Sequence, residues 1–187
     1  MTPEEQTALE ALGMRFVPEF ISPAEEQDLI PRLFVPTPSI AHSQPGRNRV
    51  HRYGSRKPYN NYMVSEKIPL YFDTLGDRLV AQNLVVNKPD SVTINEYLKG
   101  DIIQAHVDAL GGGAVITILS LGNAATMVFR RQALSYTVVL EPRSLIQLRG
   151  DLRYKWTHEI LPVANTRYSV VFRCSKECTE EQTAAST

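Results

Sequence analysis

Beyond Asn87 the chain passes through about eight short runs rich in Val, Ile, Leu and Tyr, at 92–97, 102–105, 115–121, 126–129, 136–140, 144–148, 154–157 and 168–172. Turn residues separate them, and no helical segment intervenes. That pattern constrains the fold more than any other feature: many short strands joined by turns close into a jelly-roll or barrel. A helical bundle would need a long 3.6-residue periodicity, and none follows residue 90.

The N-terminal half has a different texture. Arg15-Phe-Val-Pro-Glu-Phe20 reads as a short strand. Ser22-Pro-Ala-Glu25 is a capping box with proline at the first helical position, which predicts a helix over about 23–34. Leu70, Phe72, Leu75, Leu79 and Val80 recur at helical spacing and predict a second over about 69–82. Between them, 36–62 is a long basic loop, rich in Pro, Ser, Asn and Gly, in which Arg47, Arg49, His51, Arg52, Arg56 and Lys57 interleave with Tyr53, Tyr59 and Tyr62. The expected fold is α+β, a double-stranded β-helix (jelly-roll) core braced by N-terminal helices. A length of 187 residues suits one domain, placed at 1–176 with a flexible tail at 177–187.

Twenty basic and twenty acidic residues leave no net charge, so no global field recruits nucleic acid and any polyanion contact has to be local. The start lacks the charged and apolar regions of an export signal, and no stretch is apolar enough to span a membrane. The expectation is a soluble cytoplasmic protein, or a nuclear one in a eukaryote, not secreted and monomeric. Cys174 and Cys178 read as free thiols of a polar tail in a reducing compartment.

Of four histidines, His106 and His158 are the two that lie beside strand-like runs, and His106 is followed at two residues by Asp108. A lone His-x-Asp is common by chance, and a buried histidine is more often a satisfied core residue than a ligand. Two imidazoles and one carboxylate are nevertheless the set that holds non-haem Fe(II) on one face and leaves positions open for a co-substrate and O₂. Downstream, Arg167 and Arg173 flank an apolar run and can supply fixed cations for an organic acid. Metal and acid together suggest an oxygenase.

Five ordered motifs, Asn95-Glu-Tyr97, His106-Val-Asp108, Pro142-Arg-Ser-Leu-Ile-Gln-Leu-Arg-Gly150, Arg153-Tyr-Lys-Trp-Thr-His158 and Arg167-Tyr-Ser-Val-Val-Phe-Arg173, resemble the AlkB family of Fe(II)- and 2-oxoglutarate-dependent dioxygenases. The resemblance is strong from Val92 to Arg173 and looser before it. It implies that His106, Asp108 and His158 ligate iron, that Arg167 pairs with the distal carboxylate of 2-oxoglutarate, and that Asn95, Tyr97 and Ser169 contact the same acid. Arg173 would sit near its 1-carboxylate and the metal. The implied reaction couples oxidation of 2-oxoglutarate to succinate and CO₂ with hydroxylation of a substrate C–H bond. An N-alkyl group so hydroxylated leaves as an aldehyde.

The motifs look most like the branch containing an enzyme fused to a tRNA methyltransferase that hydroxylates a wobble-uridine side chain. One position departs: members that repair alkylated bases usually carry an acid two residues after the metal aspartate, and here that residue is Leu110. The resemblance makes the basic loop a lid, with Arg52, Tyr53, Arg56 and Tyr62 as candidate contacts to single-stranded DNA or RNA; a solvated surface loop is the plainer reading. Three functions compete: a dioxygenase of a modified nucleic acid, a dioxygenase of a protein side chain or small molecule, and a module without catalysis. The complete ligand set argues against the third.

Overall fold

The computed structural model describes residues 1–33, 48–54 and 66–174. Two capping boxes open its first helices. Thr2 and Ser22 each accept from the backbone N–H three residues on, while Glu5 and Glu25 accept from the N–H of the caps. α1 (Pro3–Leu12) and α2 (Pro23–Leu29) therefore begin with orphan donors satisfied and proline at the first position. The sequence expectation covers α2 and omits α1, although both carry the same signature. α2 is also shorter than expected: it gives way to a 3-10 turn at Ile30–Arg32, where Pro31 has no N–H to extend the α ladder. α3 (Leu70–Ala81) lies where its periodicity predicts.

Among the described residues ten strands lie in chain order: β1 (Met14–Val17), β2 (Arg49–Gly54), β3 (Ser91–Tyr97), β4 (Ile103–His106), β5 (Ile116–Leu121), β6 (Ala125–Arg131), β7 (Leu134–Leu140), β8 (Leu145–Leu148), β9 (Thr157–Ile160) and β10 (Arg167–Arg173). A short helix, α4 (Gly150–Tyr154), joins β8 to β9. The strands form a six-stranded sheet, β1-β8-β5-β10-β3-β2, and a four-stranded sheet, β4-β9-β6-β7, antiparallel throughout. This is the expected jelly-roll with helices to one side.

Successive side chains on a strand face opposite ways, and the large sheet uses both faces. Val92, Ile94, Leu119, Leu121, Leu145, Val170 and Phe172 pack outward against Phe72, Leu75 and Leu79 of α3 and Leu29 of α2. Ile116, Ile118, Ile146, Leu148 and Val171 point inward, against Met127, Phe129, Val138, Leu140 and Ile160 of the small sheet. Burial on both faces explains why the central strands read as continuous apolar runs and not as alternating ones.

Three expectations need correction. Within the anticipated basic loop, residues 49–54 form strand β2, whose six residues pair with β3 at the edge of the large sheet; long-range pairing overrides a loop-like composition. The strand expected at 154–157 begins only at Thr157: α4 occupies 150–154, supported by the Asp151–Lys155 ion pair at 2.8 Å and by Leu152 buried between the sheets. Cys174 is a buried thiol, not part of an exposed tail, while Cys178 lies outside the described residues. No helix among the described residues is long and apolar enough to cross a membrane.

Candidate metal centre and acid-binding pocket

β4 ends at His106, which stands directly opposite His158 of β9 in the antiparallel ladder, and the ring centroids are 4.4 Å apart. Asp108 lies two residues past the end of β4, its Oδ2 3.7 Å from His158 Nε2. The three side chains offer ligand atoms all within 4.8 Å of one another. His106 Nδ1–H donates to the Gln104 carbonyl at 2.9 Å; since a carbonyl can only accept, this tautomer leaves the Nε2 lone pair available.

The electrostatics suit a cation. Burial is the main influence on the His158 imidazole and drives it down to about 4, with the charge of Asp108 only partly offsetting, so the ring is neutral and ready to coordinate at neutral pH. Burial pushes Asp108 up, but Arg173, His158 and Arg153 outweigh it and hold the carboxyl below its usual range. Two imidazoles and one carboxylate clustered at and just beyond strand ends are the donor set of a non-haem Fe(II) site.

Beside the triad, β3 and β10 turn a polar row to the same inner face. Their register sets Arg167 opposite Tyr97, Ser169 opposite Asn95 and Val171 opposite Thr93. Asn95 donates to Ser169 Oγ at 3.1 Å and accepts from Asn48 at 2.8 Å. Arg173 donates to Asp108 Oδ1 at 2.8 Å and to Thr93 Oγ1 at 3.3 Å, linking this row to the metal residues. Burial raises the Tyr97 phenol, and Arg167 and Ser169 offset part of that rise.

Arg167 is the telling member. It is 0 % exposed, its guanidinium carbon lies 4.9 Å from the centroid of the Tyr97 ring, and Nη2 reaches Ser120 Oγ at 3.3 Å. Its Nε and Nη1 have no partner among the described residues. An unsatisfied buried donor costs on the order of 1–3 kcal/mol, and a buried cation more, so an anion beside this arginine would offset that cost. A dicarboxylate between Arg167 and the triad would do so.

The structure thus brings together all eight residues expected for metal and co-substrate, His106, Asp108, His158, Asn95, Tyr97, Arg167, Ser169 and Arg173. It separates the four substrate candidates. Arg52 pairs with Thr93 in the β2–β3 register and shares the inner face. Tyr53 faces the other way, its ring 6.0 Å from Phe72, and burial raises its phenol to about 12. Arg56 and Tyr62 lie outside the described residues. Sequence reasoning missed Thr93, Asn48, Ser120 and Arg153. The period-2 rule, extended back from Asn95 and Tyr97, points to Thr93; Asn48 has no local signal, because only the β2–β3 pairing delivers it.

Comparison with known proteins agrees with this geometry. Residues 13–182 match the family model of the 2OG-Fe(II) oxygenase superfamily. An uncharacterized protein, L905, of Acanthamoeba polyphaga mimivirus is 26% identical over 176 residues, covering 86% of this chain and 84% of the relative. The tRNA (carboxymethyluridine(34)-5-O)-methyltransferase ALKBH8 of Mus musculus is 33% identical over 168 residues, 82% of this chain but 25% of that protein, so the chain spans about a quarter of the mouse relative's length. Among solved structures, OsALKBH1 superposes with a TM-score of 0.64 at 18% identity, over 86% of this chain and 97% of that one.

Proposed function

This chain belongs to the 2OG-Fe(II) oxygenase superfamily as an AlkB-like dioxygenase, and from that footing we propose that its substrate is a modified nucleic acid, hydroxylated or oxidatively dealkylated at a C–H bond. The cofactors are Fe(II), 2-oxoglutarate and O₂. Iron held by His106, Asp108 and His158 would supply the oxidising chemistry that couples decarboxylation of 2-oxoglutarate to succinate and CO₂ with hydroxylation of a substrate C–H bond.

The protein's own groups bind and orient. His106, Asp108 and His158 hold the metal, with His106 fixed in one tautomer by Gln104. Arg167 takes the distal carboxylate of the co-substrate, satisfying donors that otherwise stay unpaired, and Tyr97, Asn95 and Ser169 line the same acid. Arg173, bonded to Asp108, stands near the 1-carboxylate. No protein acid or base is needed for the C–H step.

One observation carries the choice of nucleic acid: Arg52 stands on the site face of β2, the last strand of the large sheet among the described residues, beside the Thr93–Arg173–Asp108 contacts. A cation there can meet a phosphate while a base reaches the metal. The similarity to a tRNA-modifying relative points the same way. A second reading, a protein side chain or small molecule, draws on Leu110, whose side chain is 60 % exposed two residues beyond Asp108 and offers no polar group to a base.

The test is succinate formation by the purified chain with Fe(II) and ascorbate, alone and with alkylated single-stranded DNA, modified RNA or a peptide mixture. Stimulation by a nucleic acid is expected. Stimulation by peptides alone would replace this proposal with the second reading, and no succinate under any condition would remove both.

A further inference from the structure

The loop that carries Asp108 has little regular structure: β4 ends at His106, and the next feature is a single 3-10 turn at Leu110–Gly112. It must still present one carboxylate beside two imidazoles in a narrow range of orientations. The backbone bonds that hold it come from a side chain on α4, forty-five residues away. Arg153, 2 % exposed, donates from Nη1 to the Asp108 carbonyl at 2.9 Å and from Nη2 to the Ala109 carbonyl at 2.7 Å.

Two consecutive carbonyls held by one planar guanidinium fix the peptide planes on both sides of Ala109, because the donors of that group diverge at set angles. With those planes fixed, the backbone just after Asp108 cannot rotate. The carboxylate is then held from its other end by Arg173. Arg153 is itself well seated: its guanidinium carbon lies 5.0 Å from the centroid of the Tyr154 ring, Leu152 beside it is buried between the sheets, and Trp156, three residues on, packs at 5.4 Å on Tyr136. Rigid packing between the sheets is thereby transmitted through one side chain to the metal-ligand loop.

We propose that Arg153 is a positioning residue of the metal centre, clamping the Asp108–Ala109 backbone so that the Asp108 carboxylate is preset for the ion. The proposal rests on the metal-site reading above. Lysine cannot replace it, since one ammonium on a flexible stem cannot hold two adjacent carbonyls in a fixed relation.

The experiment titrates Mn(II), a redox-stable stand-in for Fe(II), into the metal-stripped full chain without co-substrate, by calorimetry. Four variants are compared with the unaltered protein: R153K, R153M, L152A and H106A. R153K and R153M are expected to weaken Mn(II) binding about 10–100-fold, the usual cost of removing a group that orients a ligand. R153K should melt close to the unaltered protein. L152A should lower the melting temperature while leaving Mn(II) affinity unchanged. Unaltered affinity in R153K would overturn the proposal, as would an equal loss in L152A, which would assign the effect to a loosened α4. If H106A binds Mn(II) as well as the unaltered chain, the metal-site reading itself fails and takes this proposal with it.

Discussion

The fourteen residues of strands β3 and β10 alternate between two faces of opposite character. Outward, Val92, Ile94, Val170 and Phe172 close against α3 in an apolar layer. Inward, Thr93, Asn95, Tyr97, Arg167 and Ser169 are also buried, yet almost all are polar. The outer face gains stability from area removed from water. The inner face gives up part of that gain to hold hydrogen-bonding groups in a buried site, where low local dielectric would strengthen their interaction with a charged ligand. A one-residue slip in register would exchange the two faces and lose both functions, which ties fold and site to a single pairing.

That contrast breaks most sharply at the metal residues. H106A and D108A should reduce succinate formation to background while the circular dichroism spectrum stays native; normal turnover in either would remove the metal assignment. R167A should raise the KM for 2-oxoglutarate about 100-fold, in line with the roughly 2–5 kcal/mol lost when one partner of a buried charge pair is truncated. An unchanged KM would mean that another cation holds the acid. The outer face offers the reverse experiment: I94A should cost about 2–5 kcal/mol in urea denaturation and leave that KM unchanged. A large KM change in I94A would show that the faces are not separable.

Smaller effects sharpen the comparison further. In the folded chain His158 titrates near 4, below its unfolded value of about 6.5, so the unfolded state takes up the proton first. Its contribution is fully present above pH 6.5 and is lost as pH falls from there towards 4. Denaturation of the metal-free protein at pH 7 and pH 4.5 should differ by more than it does in H158Q, and equal differences would refute the linkage. The smallest change is expected at the rim. R52E should weaken binding to single-stranded RNA a few-fold and reduce the salt slope by about 1. If neither moves, Arg52 does not contact phosphate.

Much of the site is legible in the sequence, because its residues sit in short motifs of fixed spacing: His106 and Asp108 two apart at a strand end, Asn95 and Tyr97 on one face of a strand, Arg167 and Ser169 on one face of another. What escaped notice was held by partners distant in sequence. Asn48 reaches Asn95 only through the β2–β3 pairing, and Arg153 reaches Asp108 across forty-five residues. The basic stretch misled for the same reason, since its composition describes a loop and only a neighbouring strand makes 49–54 a strand. Tyr53 had the right chemistry for stacking on a base and the wrong parity for facing the site.

Local pattern alone determined that this protein is a strand-rich closed fold with capped helices before it, and that it carries two imidazoles, a carboxylate and two arginines fit for iron and an organic acid. Periodicity, capping and ligand chemistry are properties of residues near one another in the chain, so they can be read there. Only the tertiary structure decided which face each strand turned inward, that Arg167 was fully buried with two unpartnered nitrogens among the described residues, and that Arg153 reached the backbone of the Asp108 loop. Those outcomes depend on sheet register and on burial, and neither exists until distant segments pack together.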